Sequence, residues 1–372
     1  MTSPRVWAAL FAALLAGCAS DRPVARVRAD DKNYASCGIR KPRLWASYAL
    51  PSELMIEGKR LGGLSGIDYD RRDGSFLAVS DDRGRNGGGR LFRLSIEFHP
   101  DRTLSVGVTS AHTLRISDGR AFAHEGEPGQ GVDAEAVRIR DDGRIFWTSE
   151  GDAAKAQGPA LFEQVALDAP SRAIVLPASL GRHSAGTRGP RDNRSFEALD
   201  VDETTNALWL GLEAPLIEDG RVPTTKAGAD TLILKLSRPP VIDTSFRYQL
   251  EPIARQQPNK LADNGLSELL ALPRSRFLTL ERSGSQQDDG RFRYVSRIFC
   301  AAPATATSPA VLPPKLTKRH LAELNALGPF DTANFEGMTF GPILPDGRRS
   351  LVLVSDNDFR PERPTLILVL AI

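Results

Sequence analysis

From Asp133 to Glu150 the chain reads DAEAVRIRDDGRIFWTSE. Apolar Val137 and Ile139 alternate with polar neighbours, a D-D-G turn follows at Asp141 to Gly143, and a second run, Ile145 to Ser149, ends on Glu150. Period-two alternation on both sides of a glycine turn predicts an antiparallel hairpin, in which the start of the first strand lies opposite the end of the second. Glu135 and Glu150 are therefore expected at the same end of the pair. The unit recurs as GLSGIDYDRRDGSFLAVSD (63–81), SFEALDVDETTNALWLGLE (195–213), GLSELLALPRSRFLTLE (265–281) and NFEGMTFGPILPDGRRSLVLVSD (334–356). Its opening residues, Ser65, Glu135, Glu197, Ser267 and Glu336, follow one another at steps of 70, 62, 70 and 69 residues. Its closing acids are Asp81, Glu150, Glu213, Glu281 and Asp356. One such hairpin cannot bury its own apolar face, so near-constant repetition predicts radial stacking of a single unit.

Each copy continues into further strands. Candidates are Leu91 to Phe98 and Leu104 to Leu114, Ala160 to Leu167 and Ala173 to Leu176, and Thr231 to Leu236 and Phe246 to Ile253. The fourth copy continues with Phe292 to Cys300 and a strand near Val311 to Leu316. The fifth has only Thr365 to Ala371 and is one strand short, a gap that a lone strand at Leu44 to Leu50 fills. The expectation is an all-β β-propeller over residues 36–372, with five four-stranded blades and the N-terminal strand closing the ring. Six blades stay open if the long loops hide further strands. Closure leaves no free edge to the domain. The spacing of Leu321, Leu324 and Leu327 predicts a short helix over His320 to Leu327.

Residues 1–17 do not fit this pattern. Arg5, the apolar run Val6 to Leu14 and the small-residue ending Leu15-Ala16-Gly17 read as a secretory signal, too short to span a bilayer as a retained helix. Leu15 to Cys18 resembles a bacterial lipoprotein box, which implies cleavage before Cys18 and lipid attachment to it; an ordinary cleaved signal peptide is the alternative. Ala19 and Ser20 follow without an inner-membrane retention Asp, which points to the outer membrane of a bacterial envelope, facing the periplasm. Polar residues 18–35 read as a flexible tether. In an exported chain Cys37 and Cys300 remain as an even pair in an oxidising compartment, and a disulfide between them is expected. With no neighbouring histidine they do not read as a zinc site.

A formal net charge of +2 over 372 residues argues against binding nucleic acid or a membrane surface by bulk electrostatics. Membrane association is therefore expected through the lipid alone, and the protein is read as a monomer. No P-loop, GxGxxG, HExxH or CxxC motif is present. The opening and closing positions, joined by Asp133, converge on one rim if the ring forms, and so many bare carboxylates repel. Hard cations relieve that repulsion, and calcium accepts six to eight oxygen ligands in loose geometry. The expected metal ligands are Asp81, Asp133, Glu135, Glu150, Glu197, Glu213, Glu281, Glu336 and Asp356. The alternative is that some of these acids, Glu150 and Glu213 in particular, cap strand ends or pair with arginines. Arg83, Arg191 and Arg194 sit in loops on the same face and suit a small anionic, phosphorylated substrate, because guanidinium grips two oxygens at once. Ser65 lies in GLSGI, which departs from the G-x-S-x-G elbow and lacks its strand-to-helix setting. No catalytic residue is assigned, and none of the five histidines shows an evident partner spacing.

Together, GGLSGIDYD, DAEAV, SFEAL, GLSEL and NFEGMTF resemble the phytase-like family described as "esterase-like activity of phytase", over residues 36–372. DAEA and NFEG are also similar to the acid-rich strand openings of β-propeller phytases. The resemblance implies a calcium-dependent phosphoric-ester hydrolase in which these acids hold the ions that bind substrate phosphates. It implicates Asp133, Glu135, Asn334 and Glu336 directly, and Glu197 through the matching F-E-A. The lysine-rich phosphate contacts of the phytases have no match here, and Ser replaces Glu in the first and fourth copies. Two other functions remain open: a non-catalytic propeller lipoprotein that serves as an envelope binding scaffold, and a carboxylic-ester or lactone hydrolase.

Overall fold

The computed structural model describes residues 37–152, 155–181, 186–202, 204–236, 241–304 and 313–372. The expected signal segment 1–17, tether 18–35 and lipidation site Cys18 lie outside the described residues. In chain order, β1 (Arg43–Leu50) is followed by a small hairpin, β2 (Met55–Ile56) and β3 (Lys59–Arg60). The first blade is β4 (Leu64–Asp70), β5 (Ser75–Ser80), β6 (Arg90–Phe98) and β7 (Leu104–Thr113). The second is β8 (Ala134–Ile139), β9 (Ile145–Ser149), β10 (Ala160–Gln164) and β11 (Arg172–Ile174). The third is β12 (Phe196–Val201), β13 (Leu208–Leu212), β14 (Ala229–Leu236) and β15 (Ile242–Leu250). The fourth is β16 (Gly265–Leu272), β17 (Arg276–Gln286), β18 (Phe292–Pro303) and β19 (Leu316–Glu323). The fifth comprises β20 (Asn334–Ile343), β21 (Arg349–Asp356) and β22 (Thr365–Ala371), with β1 as its outermost strand.

The protein is a five-bladed β-propeller, and the six-blade alternative falls. β1 pairs antiparallel with β22, Arg43 opposite Ala371 and Leu50 opposite Thr365, so the start of the domain completes its last blade. Because each blade is covered by its neighbours, the inner hairpins are apolar on both faces, as in β13 (LWLGL), where every residue is buried. Trp147 of β9 stacks on Phe162 of β10 at 4.1 Å between ring centroids, and Phe122 packs edge-on against both.

Two strand-level expectations need correction. The last strand of the fourth blade is β19, later than the Val311 to Leu316 expected, and the helix expected over His320 to Leu327 is only a 3-10 turn, Leu324–Ala326. Leu321 and Leu324 are both buried, but one ends a strand and the other opens the turn, so their i,i+3 spacing imitates a helix face. The expected disulfide is present. Cys37, just ahead of β1, bonds Cys300 of β18, with the two Cα atoms 5.7 Å apart.

The inner strands β4, β8, β12, β16 and β20 border one another around the axis. Glycine allows their closest approaches. A side chain at Gly66 would meet the Glu135 carbonyl at 2.6 Å, and one at Gly337 would meet the Ser65 carbonyl at 2.9 Å. Arg138 fills the channel between them. Its Nε donates to Asp200 at 3.1 Å, Nη1 to the carbonyls of Val137 and Ile67 at 2.7 and 3.2 Å, and Nη2 to those of Leu269 and Met338 at 3.3 and 3.2 Å. An ion pair to Glu268 at 2.9 Å completes the set. One guanidinium thus touches the inner strand of every blade.

Candidate metal centre

Each inner strand carries a β-bulge at its opening residue. Ser65, Glu197, Ser267 and Glu336 are the unpaired extra residues of β4, β12, β16 and β20, and in β8 Glu135 and Ala136 together face Thr148. A bulge re-aims one side chain without ending the ladder. The closing acids stand opposite: Asp356 pairs with Asn334, Glu150 N–H donates to the Asp133 carbonyl at 2.9 Å, and Glu213 N–H donates to the Ser195 carbonyl at 2.7 Å.

The result is a buried mouth of acids. Two triplets, Asp81–Asp133–Glu135 and Glu135–Glu150–Glu197, each present oxygens within 4.8 Å of one another, and Glu135 belongs to both. Burial pushes the Glu135 carboxyl far above its ordinary range, and the charges of Asp81, Glu197, Asp133 and Glu150 push it further. Burial does the same to Asp81, aided by Asp133, Asp356 and Glu336, and to Glu197, aided by Glu150, Glu213 and Glu336. Glu150 and Asp356 also lie far above the usual range through burial and their acidic neighbours Glu213 and Asp358 respectively. Glu336 is pushed up to about 7 by burial, although Arg282 opposes the shift. At 4.8 Å two bare charges repel by roughly 3–4 kcal/mol in a medium of intermediate polarity, so the cluster takes up protons or cations.

The donor set fits a hard cation. Oδ1 of Asp81 and Oδ1 of Asp133 are enclosed and accept no hydrogen bond from a nitrogen or hydroxyl donor. Every side chain in the triplets offers oxygen, the preference of calcium and magnesium. Backbone strain gathers at the same rim: Arg83, Asp358 and Phe359 hold left-handed φ values of 51°, 50° and 53°.

Not every sequence-predicted ligand faces the triplets. Glu281 is taken up by Tyr248 Oη at 2.7 Å, the Asn264 amide at 2.9 Å and the Lys318 ammonium. Glu213 and Glu336 flank Arg282, whose Nη2 lies 3.3 and 3.4 Å from them, while Nη1 reaches Asp263 at 3.3 Å. Asn334 donates its amide to Glu336 at 2.8 Å. Glu150 also accepts the Ser195 backbone N–H, so it links two blades as well as joining a triplet. Of the arginines, Arg83 pairs with Asp133 at 2.8 Å with a third of its side chain exposed. Arg194 lies 3.6 Å from Asp263, and Arg191 is committed to the carbonyls of Pro215 and Gly220 at 2.9 and 2.6 Å.

Sequence reasoning missed Arg138 and the wall of the mouth. β17 and β18 run on beyond Glu281, and beside this extension lies a cavity of about 280 Å³ whose lining includes Arg255, Gln287, Arg293, Tyr294, Val295 and Asp331. Tyr294 joins the two regions, with its hydroxyl 3.5 Å from Arg363, which pairs with Asp358 at 2.6 Å. No repeat signal marks Tyr294, because only the fourth blade has so long a hairpin.

A family model described as phytase-like, "Esterase-like activity of phytase", matches residues 59–359. No curated protein matches the chain. Similar solved structures include an endo-arabinase from Bacteroides thetaiotaomicron, 11% identical over 87% of this chain and 97% of that one, with a TM-score of 0.43. A mannose phosphorylase from Leishmania mexicana, in complex with phosphate ion, is 12% identical over 88% of each chain, with a TM-score of 0.44. An exo-1,5-alpha-L-arabinanase from a bovine ruminal metagenomic library is 12% identical over 85% of this chain and 95% of that one, also with a TM-score of 0.44. At these values the likenesses say nothing of activity.

Proposed function

The chain belongs to the phytase-like family described as esterase-like activity of phytase, and from that premise we propose that it is a calcium-dependent phosphoric-ester hydrolase acting at the acid mouth. The observation that carries this reading is the pair of buried carboxylate triplets sharing Glu135, with two enclosed oxygens that no nitrogen or hydroxyl donor satisfies. Asp81, Asp133 and Glu135 would hold one ion, and Glu135, Glu150 and Glu197 a second. Calcium bound there supplies positive charge for phosphoryl oxygens and acidifies a coordinated water. The chain's own part is to bind and orient. Arg83 is held by Asp133 through Nε, which leaves its Nη groups to grip a phosphate oxygen. Arg282 offsets Glu213 and Glu336 on the far side of the mouth, which leaves the five triplet acids as the ion-binding set.

Export fits the same reading. The Cys37–Cys300 disulfide suits an oxidising compartment, and with the leader it supports a lipid-anchored protein of the bacterial envelope. The test is to purify the protein, strip it with chelator, and assay phytate, a chromogenic phosphate ester and a chromogenic acetate ester with and without calcium. Phosphate release should require calcium. Glu135→Gln should reduce it by roughly 100-fold or more, the scale of losing a group that fixes transition-state charge. Calcium that raises the melting temperature without any phosphate release would instead make the protein a scaffold.

A further inference from the structure

At the outer edge of the first blade a hydroxyl, an imidazole and a carboxylate stand in line. Ser110 and His112 lie two residues apart on β7, so both side chains leave the same face of the strand. Ser110 Oγ is 2.8 Å from His112 Nε2, and His112 Nδ1 is 2.6 Å from Oδ1 of Asp168, which arrives from the turn between β10 and β11. An ionised carboxylate only accepts hydrogen bonds, so Nδ1 carries a ring proton, and in the neutral ring Nε2 offers its lone pair to the Ser110 hydroxyl. Thr109 is an unpaired bulge residue immediately before Ser110. One residue beyond, the Ala111 N–H points off the free edge of the sheet to Glu57 Oε2 at 3.3 Å. The main-chain donor next to Ser110 in sequence is therefore covered by a carboxylate. None of these residues belongs to the acid mouth.

We propose that Ser110, His112 and Asp168 form a second, metal-independent ester-hydrolysing site in which Ser110 takes an acyl group from small carboxylic esters. His112 Nε2 accepts the hydroxyl proton as Ser110 Oγ bonds to the acyl carbon. The carbon–alkoxy bond then breaks and the same proton passes to the leaving alkoxide. Water reverses the sequence and frees the acid. Asp168 fixes the tautomer and steadies the imidazolium, the roles that define such a triad on any fold. Once Glu57 swings away, the Ala111 N–H faces the developing oxyanion. The Asp168 side chain is 78% exposed and the His112 side chain 17%, so the site is open and suits small activated esters rather than a shaped substrate.

The experiment uses the full chain in excess chelator with a biotinylated fluorophosphonate, and locates the adduct by peptide mass spectrometry. Label is expected on Ser110 of the wild-type protein, absent in Ser110→Ala and slowed roughly 100-fold in His112→Ala, the low end of general-base catalysis. Hydrolysis of p-nitrophenyl acetate should follow the same order and persist without calcium, and Glu57→Ala should raise both rates. A wild-type Ser110 that stays unlabelled, or a label indifferent to His112→Ala, overturns the assignment. Labelling that persists while calcium-dependent phosphate release is absent sinks only the reading of the acid mouth.

Discussion

Arg138 stands three residues beyond an opening residue, where the other inner strands carry Asp68, Asp200, Leu270 and Thr339. Asp68 accepts from Ile139 N–H and Thr339 Oγ1, both at 2.8 Å, and Asp200 accepts from Ala271 N–H at 2.5 Å, so this level stitches blade to blade. In sequence V-R-I-R looks like ordinary alternation with arginines facing water. Nothing local shows that one of them faces an axis common to five strands. Breaking a buried ionic network by removing one partner costs about 3–5 kcal/mol. Arg138→Met should lower unfolding stability in urea by that amount. Burial, outweighing Arg138, raises Glu268 to about 8 and Asp200 to about 6. In the unfolded chain both titrate near about 4, so the native state binds more protons across the interval. Their contribution is complete below about pH 4 and disappears as pH climbs toward 8. Urea midpoints of the chelated protein should therefore fall from pH 5 to pH 8, and fall less in Glu268→Gln. Equal slopes in the two proteins would count against a raised carboxyl at this position.

At the scale of the element, the hairpins were legible because period-two alternation and glycine turns repeat together. The bulges were not. The extra residue in S-F-E-A-L or N-F-E-G-M leaves the apolar pattern readable, and only the partner's register reveals it. The hairpin β2–β3 also escaped, being four strand residues with no apolar alternation to show them. The bulges separate two kinds of damage at one position. Glu197→Ala should keep the melting temperature within a few degrees and weaken calcium binding, since only a proposed ligand is lost. Deleting residue 197 removes the extra residue, so Phe196 and Ala198 follow one another against Leu212 and Gly211 and the bulge that aims the opening residue is lost. The ladder from Ala198 onward keeps its register, so that deletion should leave the near-ultraviolet circular dichroism of Trp209, which packs edge-on against Phe277 of the next blade at 4.9 Å, and weaken calcium binding at least as much as Glu197→Ala.

The whole ring was legible by counting, because the last copy lacked one strand and the segment ahead of the first copy had no partner. The mouth was legible as a place, since convergence of the repeats follows from symmetry. Which acids meet there was not, since Lys318 and Tyr248 draw Glu281 aside through contacts that no spacing encodes. The Cys37–Cys300 bond fastens the segment ahead of β1 to β18 of the neighbouring blade. A cross-link closing so long a loop is worth about 3–5 kcal/mol. Replacing both cysteines with serine should remove that much stability, and amide exchange should quicken first along β1. The seam also sets an order of events. β1 is made ahead of every blade hairpin, yet its ladder partner among the described residues is β22, more than 300 residues later. Until then β1 is an unpaired apolar strand, and such non-local pairings form slowly. The polypeptide cannot lock its circle before the strand that begins at Thr365 is available to it.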